Sequence, residues 1–110
     1  MDDFTFTGTP EAAFQAFDRL ADEAGKKGIF LGLENHDSIG SADTLLPMIQ
    51  AVKSPWIGIN LDSGNFRTPD PYADFAAIAP YAVNVQMKTE IHRLGAPAAE
   101  PADLARKVKI

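Results

Sequence analysis

Residues 57–65 read Ile57-Gly58-Ile59-Asn60-Leu61-Asp62-Ser63-Gly64-Asn65. Ile57, Ile59 and Leu61 alternate with Gly58, Asn60 and Asp62, the two-residue period of a strand, and the run stops in the turn formers Asp, Ser, Gly and Asn. Two other segments are built the same way. Ile29-Phe30-Leu31-Gly32-Leu33 runs into Glu34, and Ala82-Val83-Asn84-Val85 runs into Gln86. Each of the three therefore delivers an oxygen-bearing side chain at its end, at positions 34, 62 and 86, in steps of 28 and 24 residues. A (β/α)₈ barrel uses about 30 residues per unit and puts its chemistry at the C-terminal ends of its strands.

The segments between these strands carry helix signals. Thr9 is placed as an N-cap before Pro10, with Phe14, Phe17, Leu20, Ala21 and Ala24 at helical spacing, and Gly25 or Gly28 as the stop. Ser41 caps a second helix through Leu45, Leu46, Ile49 and Val52, in which Pro47 predicts a kink or a later start. Asp70-Pro71 opens a third helix through Phe75 and Ile78, stopped by Pro80. Helix alternating with strand predicts an α/β fold with a parallel sheet. Asp2 to Gly8 reads as a loop or a strand remnant, and His92 to Pro101 as an Ala/Pro/Gly-rich loop. A final helix is predicted from Pro101-Ala102-Asp103-Leu104 to Ile110.

Strand phase extends the reading. If Glu34, Asp62 and Gln86 face inward, so do Gly32, Gly58, Asn60, Ala82 and Asn84, which are small or polar. The opposite set (Ile29, Leu31, Leu33; Ile57, Ile59, Leu61; Val83, Val85, Met87) is wholly apolar and suits a cover of helices.

Composition removes several classes. The 110 residues contain no cysteine, which excludes disulfides, thiolate zinc sites and thiol nucleophiles. Ten Lys and Arg against fifteen Asp and Glu give a net charge of −5, a poor match for nucleic acid or an anionic membrane. No apolar run approaches the roughly 20 residues of a membrane span, and Met1-Asp2-Asp3 lacks the basic start of a secretory signal. A soluble, cytoplasmic protein is expected.

Taken singly, the strand ends have plain structural readings. Glu34 can cap the next turn, Asp62-Ser63-Gly64-Asn65 can be an Asx-type turn, and Gln86 can be a satisfied buried amide. Together, two carboxylates and an amide oxygen form a hard donor set that suits Mg²⁺ or Mn²⁺ better than zinc. His36 and Lys88 lie two residues beyond Glu34 and Gln86, at the mouth, where they can meet substrate hydroxyls or a phosphate. His92 is expected to be solvated, and Trp56 to pack at the opposite end of the sheet.

The ordered motifs Leu31-Gly32-Leu33-Glu34-Asn35-His36, Ser54 to Asn65, and Pro80 to Lys88 resemble the xylose isomerase-like TIM-barrel family of sugar phosphate isomerases and epimerases. The resemblance covers about Pro10 to Lys88. It implies a divalent metal, Mn²⁺ or Mg²⁺ with Co²⁺ or Zn²⁺ as alternatives, held by Glu, Asp, His and Glu from four successive strands. Glu34 matches the first and Asp62 the second, while Gln86 stands where His is usual and implies weaker metal affinity. Asn65 matches a position near the substrate. The family implies a sugar or sugar phosphate substrate and proton exchange through an enediolate, with Glu34 as one catalytic carboxylate and His36, Asn65 and Lys88 as substrate contacts. The fourth ligand is expected at about residue 112 to 118, one unit later. Residues 1–110 are thus read as about three βα units of a partial TIM (β/α)₈ barrel, its later half, lacking the first half and last strand. Such a piece is expected to be inactive alone and to aggregate or form a homo-oligomer. The competing readings are an endonuclease IV-like phosphodiesterase, disfavoured by two histidines and the charge of −5, and a catalytically silent barrel module used for binding or assembly.

Overall fold

A computed structural model describes residues 10–110, the side chains at 10, 11, 13 and 14 excepted. The Asp2 to Gly8 segment and the Thr9 cap lie outside the described residues. In chain order the main elements are α1 (Pro10–Gly25), β1 (Leu31–Glu34), α2 (Ala42–Ala51), β2 (Ile57–Asp62), β3 (Arg67–Thr68), α3 (Pro71–Ile78), β4 (Ala82–Gln86), β5 (Glu90–Arg93), β6 (Glu100–Pro101) and α4 (Leu104–Lys109). Short 3₁₀ turns at Asp37–Ile39 and Ala79–Tyr81 precede α2 and β4.

The central sheet is parallel, in the order β1-β2-β4, as the helix-strand alternation predicts. Glu34 is in register with Asn60, and Asp62 with Gln86, so the three strand ends lie at one edge of the sheet. A bulge at Ile59/Asn60 skips Val83 and brings Asn60 opposite Asn84. Two-residue alternation then sorts the side chains. Ile57, Ile59 and Leu61 are buried with Leu45 and Ile49 of α2, Phe75 and Ile78 of α3 and Ala21 of α1. Burial of these side chains supplies the main stabilisation of the layer. The corresponding face of β4 is not covered in this way, because Val83, Val85 and Met87 are each 43–45% exposed.

Local chemistry explains the helix ends. The Ser41 hydroxyl accepts from the Thr44 N–H, and Asp70 and Asp103 accept from the Ala73 and Arg106 N–H groups in the same way. The second helix begins at Ala42 and continues through Pro47, so Pro47 does not delay its start. Between helices, the Asp18 carboxylate accepts from the Lys53 and Ser54 N–H groups, tying α1 to the approach to β2. Gly25 is required by Trp56, since a Cβ there would lie 2.3 Å from the indole ring. Trp56 thus packs at the end of the sheet away from the carboxylates, as expected.

Two sequence expectations need correction. The first strand begins at Leu31, and Ile29 and Phe30 are more than half exposed ahead of it. The region from His92 to Pro101 is not a plain loop. Its ends form β5 and β6, paired antiparallel, and β5 also pairs parallel with β3. His92 is accordingly a strand residue with a side chain only 25% exposed, not a solvated one. Composition pointed to a loop because Leu94 to Ala99 is one; the strand pairing on either side depends on contacts with Arg67 and Thr68, remote in sequence.

Candidate functional site

At the C-terminal ends of β1, β2 and β4 two carboxylates are handled in opposite ways. Glu34 ends β1 and is half-buried. Its Oε2 accepts from the Gln86 amide at 2.9 Å and from Asn60 at 3.5 Å, while Oε1 accepts from Asn65 at 3.5 Å. All three donors are neutral, and Glu34 takes part in none of the ion pairs among the described residues. Asn60 sits in the middle of this cluster, since its Oδ1 also accepts from Asn84 at 3.0 Å and from Gln86 at 3.4 Å. The strand ends thus share one polar ladder, Asn84–Asn60–Gln86–Glu34.

Asp62 ends β2 and is 2% exposed. Its Oδ1 accepts from the Gly64 N–H at 2.8 Å, an Asx-type turn, and its Oδ2 lies 3.0 Å from the Lys88 ammonium. The hydrogen bond to Asp62, then its charge, holds Lys88 above the ordinary lysine range. Gly64 makes this approach feasible: a Cβ there would lie 2.7 Å from Cγ of Lys88.

Behind Asp62 is a buried network. Asn35, fully buried, accepts from the Asp62 N–H at 2.7 Å and donates to the Asp62 carbonyl at 2.9 Å, acting as an extra rung between β1 and β2. The Ser63 N–H donates to the Gln86 carbonyl, and the Ser63 hydroxyl accepts from the Lys88 N–H at 2.7 Å. Lys107 of α4, 2% exposed, directs its ammonium to the Ser63 hydroxyl and the Lys88 and Glu90 carbonyls at 2.9–3.1 Å. Burial pushes the Lys107 ammonium below the ordinary lysine range, against the opposing charges of Asp62 and Glu90.

The sequence candidates are therefore distributed as follows. Glu34, Gln86 and Asn65 meet directly, and Asp62 meets Lys88. His36 is exposed and paired 3.0 Å from its neighbour Asp37. Asn35, Asn60, Ser63 and Lys107 were not singled out as site residues. Asn60 was legible as an inward polar position, but Lys107 gave no signal beyond its three-residue spacing from Leu104.

A divalent cation has a mixed fit here. Glu34, Asp62 and the side-chain oxygens of Asn60, Asn65 and Gln86 form a hard oxygen set. Among the described residues, however, no group of three or more His, Cys, Asp and Glu could hold a metal ion. A cation at this rim must therefore recruit amide oxygens beside Glu34 and compete with Lys88 for Asp62. The two histidines do not gather, since His36 pairs with Asp37 and His92 lies 3.5 Å from Glu90. No described helix is long and apolar enough to cross a membrane.

Residues 7–104 match the family described as xylose isomerase-like TIM barrel. A crystal structure of a xylose isomerase domain protein from Planctomyces limnophilus is similar to this chain, with 27% identity and a TM-score of 0.61. The similarity covers 72% of this chain and 29% of that one, so the chain spans under a third of the solved protein. No curated protein matches the chain.

Proposed function

This chain belongs to the family of xylose isomerase-like TIM barrels, and we propose that its β1, β2 and β4 ends form the reacting rim of a sugar or sugar phosphate isomerase or epimerase. The observation that carries this reading is the Glu34 carboxylate, ringed by the amides of Gln86, Asn60 and Asn65, with no described cation within ion-pair distance and the Lys88 charge acting on it only from farther off. An ionised carboxylate at a strand end, oriented by neutral donors, is suited to accept a proton from the carbon beside a ketose carbonyl. The amides orient it without neutralising it.

Glu34, Asp62 and the Gln86 amide oxygen are the residues that would hold a divalent metal, Mn²⁺ or Mg²⁺ by the hardness of these donors. When bound, such an ion polarises the substrate carbonyl and the neighbouring hydroxyl. Lys88, on the Asp62 side, supplies a positive charge toward the oxygen on which negative charge develops as the enediolate forms. Asn65, two residues short of Arg67 in the chain, positions a substrate hydroxyl against Glu34. His36 is an outer contact at the mouth.

The test is solvent deuterium incorporation into a panel of aldoses and ketoses, followed by ¹H NMR with and without Mn²⁺. Exchange that falls by about 10³-fold in Glu34→Gln supports general-base action. Undiminished exchange in that variant removes Glu34 from the chemistry.

A second reading, a catalytically silent barrel module, is favoured by the Lys88–Asp62 pair, because the ammonium already occupies the side of Asp62 that a metal needs. In that case Mn²⁺ leaves the melting temperature unchanged. The endonuclease IV-like reading has no comparable support, given two separate histidines and a charge of −5.

A further inference from the structure

A cavity of about 330 Å³ lies between Arg67, the end of β5 and the loop from Leu94 to Ala99. Its polar wall is two arginines and a histidine, Arg67, Arg93 and His92, and no carboxylate lines it. The pairing of β3 with β5 puts Arg67 opposite His92 and Thr68 opposite Arg93, so these groups sit side by side on a backbone frame. Phe66, fully buried just before Arg67, anchors that frame.

Its basic side chains are partnered differently. Arg93 is held by Glu100, with Nε 3.0 Å from the carboxylate, and His92 lies 3.5 Å from Glu90. Arg67 is exposed, and no described carboxylate lies within ion-pair distance of it. One guanidinium is thus without a described ion-pair partner beside a second that Glu100, the Pro69 carbonyl and the charge of Asp70 already hold. A planar guanidinium fork matches a phosphate or carboxylate in two parallel hydrogen bonds.

Arg67 also lines a second cavity, of about 130 Å³, which it shares with Asn65 and, among others, Asp37. The Asn65 amide donates to Glu34. The order along the surface is therefore Glu34, Asn65, Arg67, then His92 and Arg93. We infer that the Arg67–His92–Arg93 cavity binds an oxyanion, phosphate or carboxylate, on the far end of the substrate whose reacting end lies at Glu34. The binding site stands on the cavity itself; the assignment of its ligand to a substrate tail rests on the Glu34 reading above.

The experiment is NMR titration of the 110-residue chain with sodium phosphate and, separately, sodium acetate, each against sodium chloride at equal ionic strength. Saturable shifts confined to the Arg67 and Arg93 Nε–H and the His92 ring support the site. Saturation by phosphate alone indicates a phosphorylated substrate, and by acetate alone a sugar acid. Arg67→Gln is expected to lower the affinity at least tenfold, and Arg19→Gln on α1 to leave it unchanged. Arg93→Lys, which keeps the charge but loses the fork, is expected to weaken binding as well. Shifts that stay linear in salt, spread over all arginines, or persist in both Arg67→Gln and Arg93→Lys overturn the inference. Phosphate binding does not involve Glu34, so intact binding beside proton exchange that is undiminished in Glu34→Gln sinks the isomerase reading alone. Exchange without anion binding sinks the cavity alone.

Discussion

Glu34 and Asp62 end adjacent parallel strands, yet one carboxylate is surrounded by neutral amides and the other by a turn and an ammonium. Glu34 is half-buried, at the surface of a polar ladder; Asp62 is 2% exposed and its backbone is gripped by Asn35. The difference separates two tasks that look identical in sequence. A group that must gain and lose a proton needs orientation without a tightly bound counter-charge. The Asp62 arrangement, with both oxygens and its own peptide engaged, also holds the turn in place.

That contrast can be broken most severely at Glu34. Glu34→Gln should cost about 10³-fold in proton exchange on a responsive sugar while moving the urea midpoint little, because only neutral amides lose a partner. If the urea midpoint falls sharply, Glu34 holds the strand ends together as Asp62 holds its turn. Next in size is Asn35→Ala, which orphans the buried Asp62 N–H and carbonyl. It should lower the unfolding free energy by about 3 kcal/mol in urea melts, since each unsatisfied buried group costs about 1–3 kcal/mol. Near-wild-type stability would show that water replaces the amide.

Lys107→Met tests the far side of the Asp62 network and should cost about 2 kcal/mol by leaving the Lys88 and Glu90 carbonyls unpaired. It also has a pH signature. The folded chain holds Lys107 below its unfolded value of 10.5, so between those two values the unfolded state binds more protons and stability rises with pH. Subtracting the Lys107→Met urea midpoints from those of the wild type as the pH is raised toward 10.5 should isolate that rise. A flat difference would mean that the ammonium is not penalised by burial. The smallest effect is expected from Gly64→Ala, where the new methyl meets Lys88 and should cost about 1 kcal/mol while raising solvent exchange at the Lys88 ammonium in NMR.

The sheet was legible because its signal is local. Ile57, Ile59 and Leu61 alternate with small and polar residues in the chain itself, and the helix caps Ser41 and Asp70 sit next to the residues they serve. Half of the candidate site was legible for the same reason, as Glu34, Asp62 and Gln86 are found by counting along strands of similar spacing. The β5 and β6 pairing was not. Glu90–Arg93 has little apolar periodicity, and its partners Arg67 and Thr68 lie about twenty-five residues away, as the register of Arg67 with His92 shows. Lys107 was invisible because a lysine on a short amphipathic helix ordinarily faces water.

From the amino acids alone came the parallel α/β layering and the coincidence of oxygen donors at three strand ends, since both follow from period and spacing. Only the tertiary structure decided how those donors are partnered. Whether a carboxylate faces an amide or an ammonium depends on the register between strands and on a helix that begins 18 residues beyond the last of them, distances over which sequence pattern carries no record of contact.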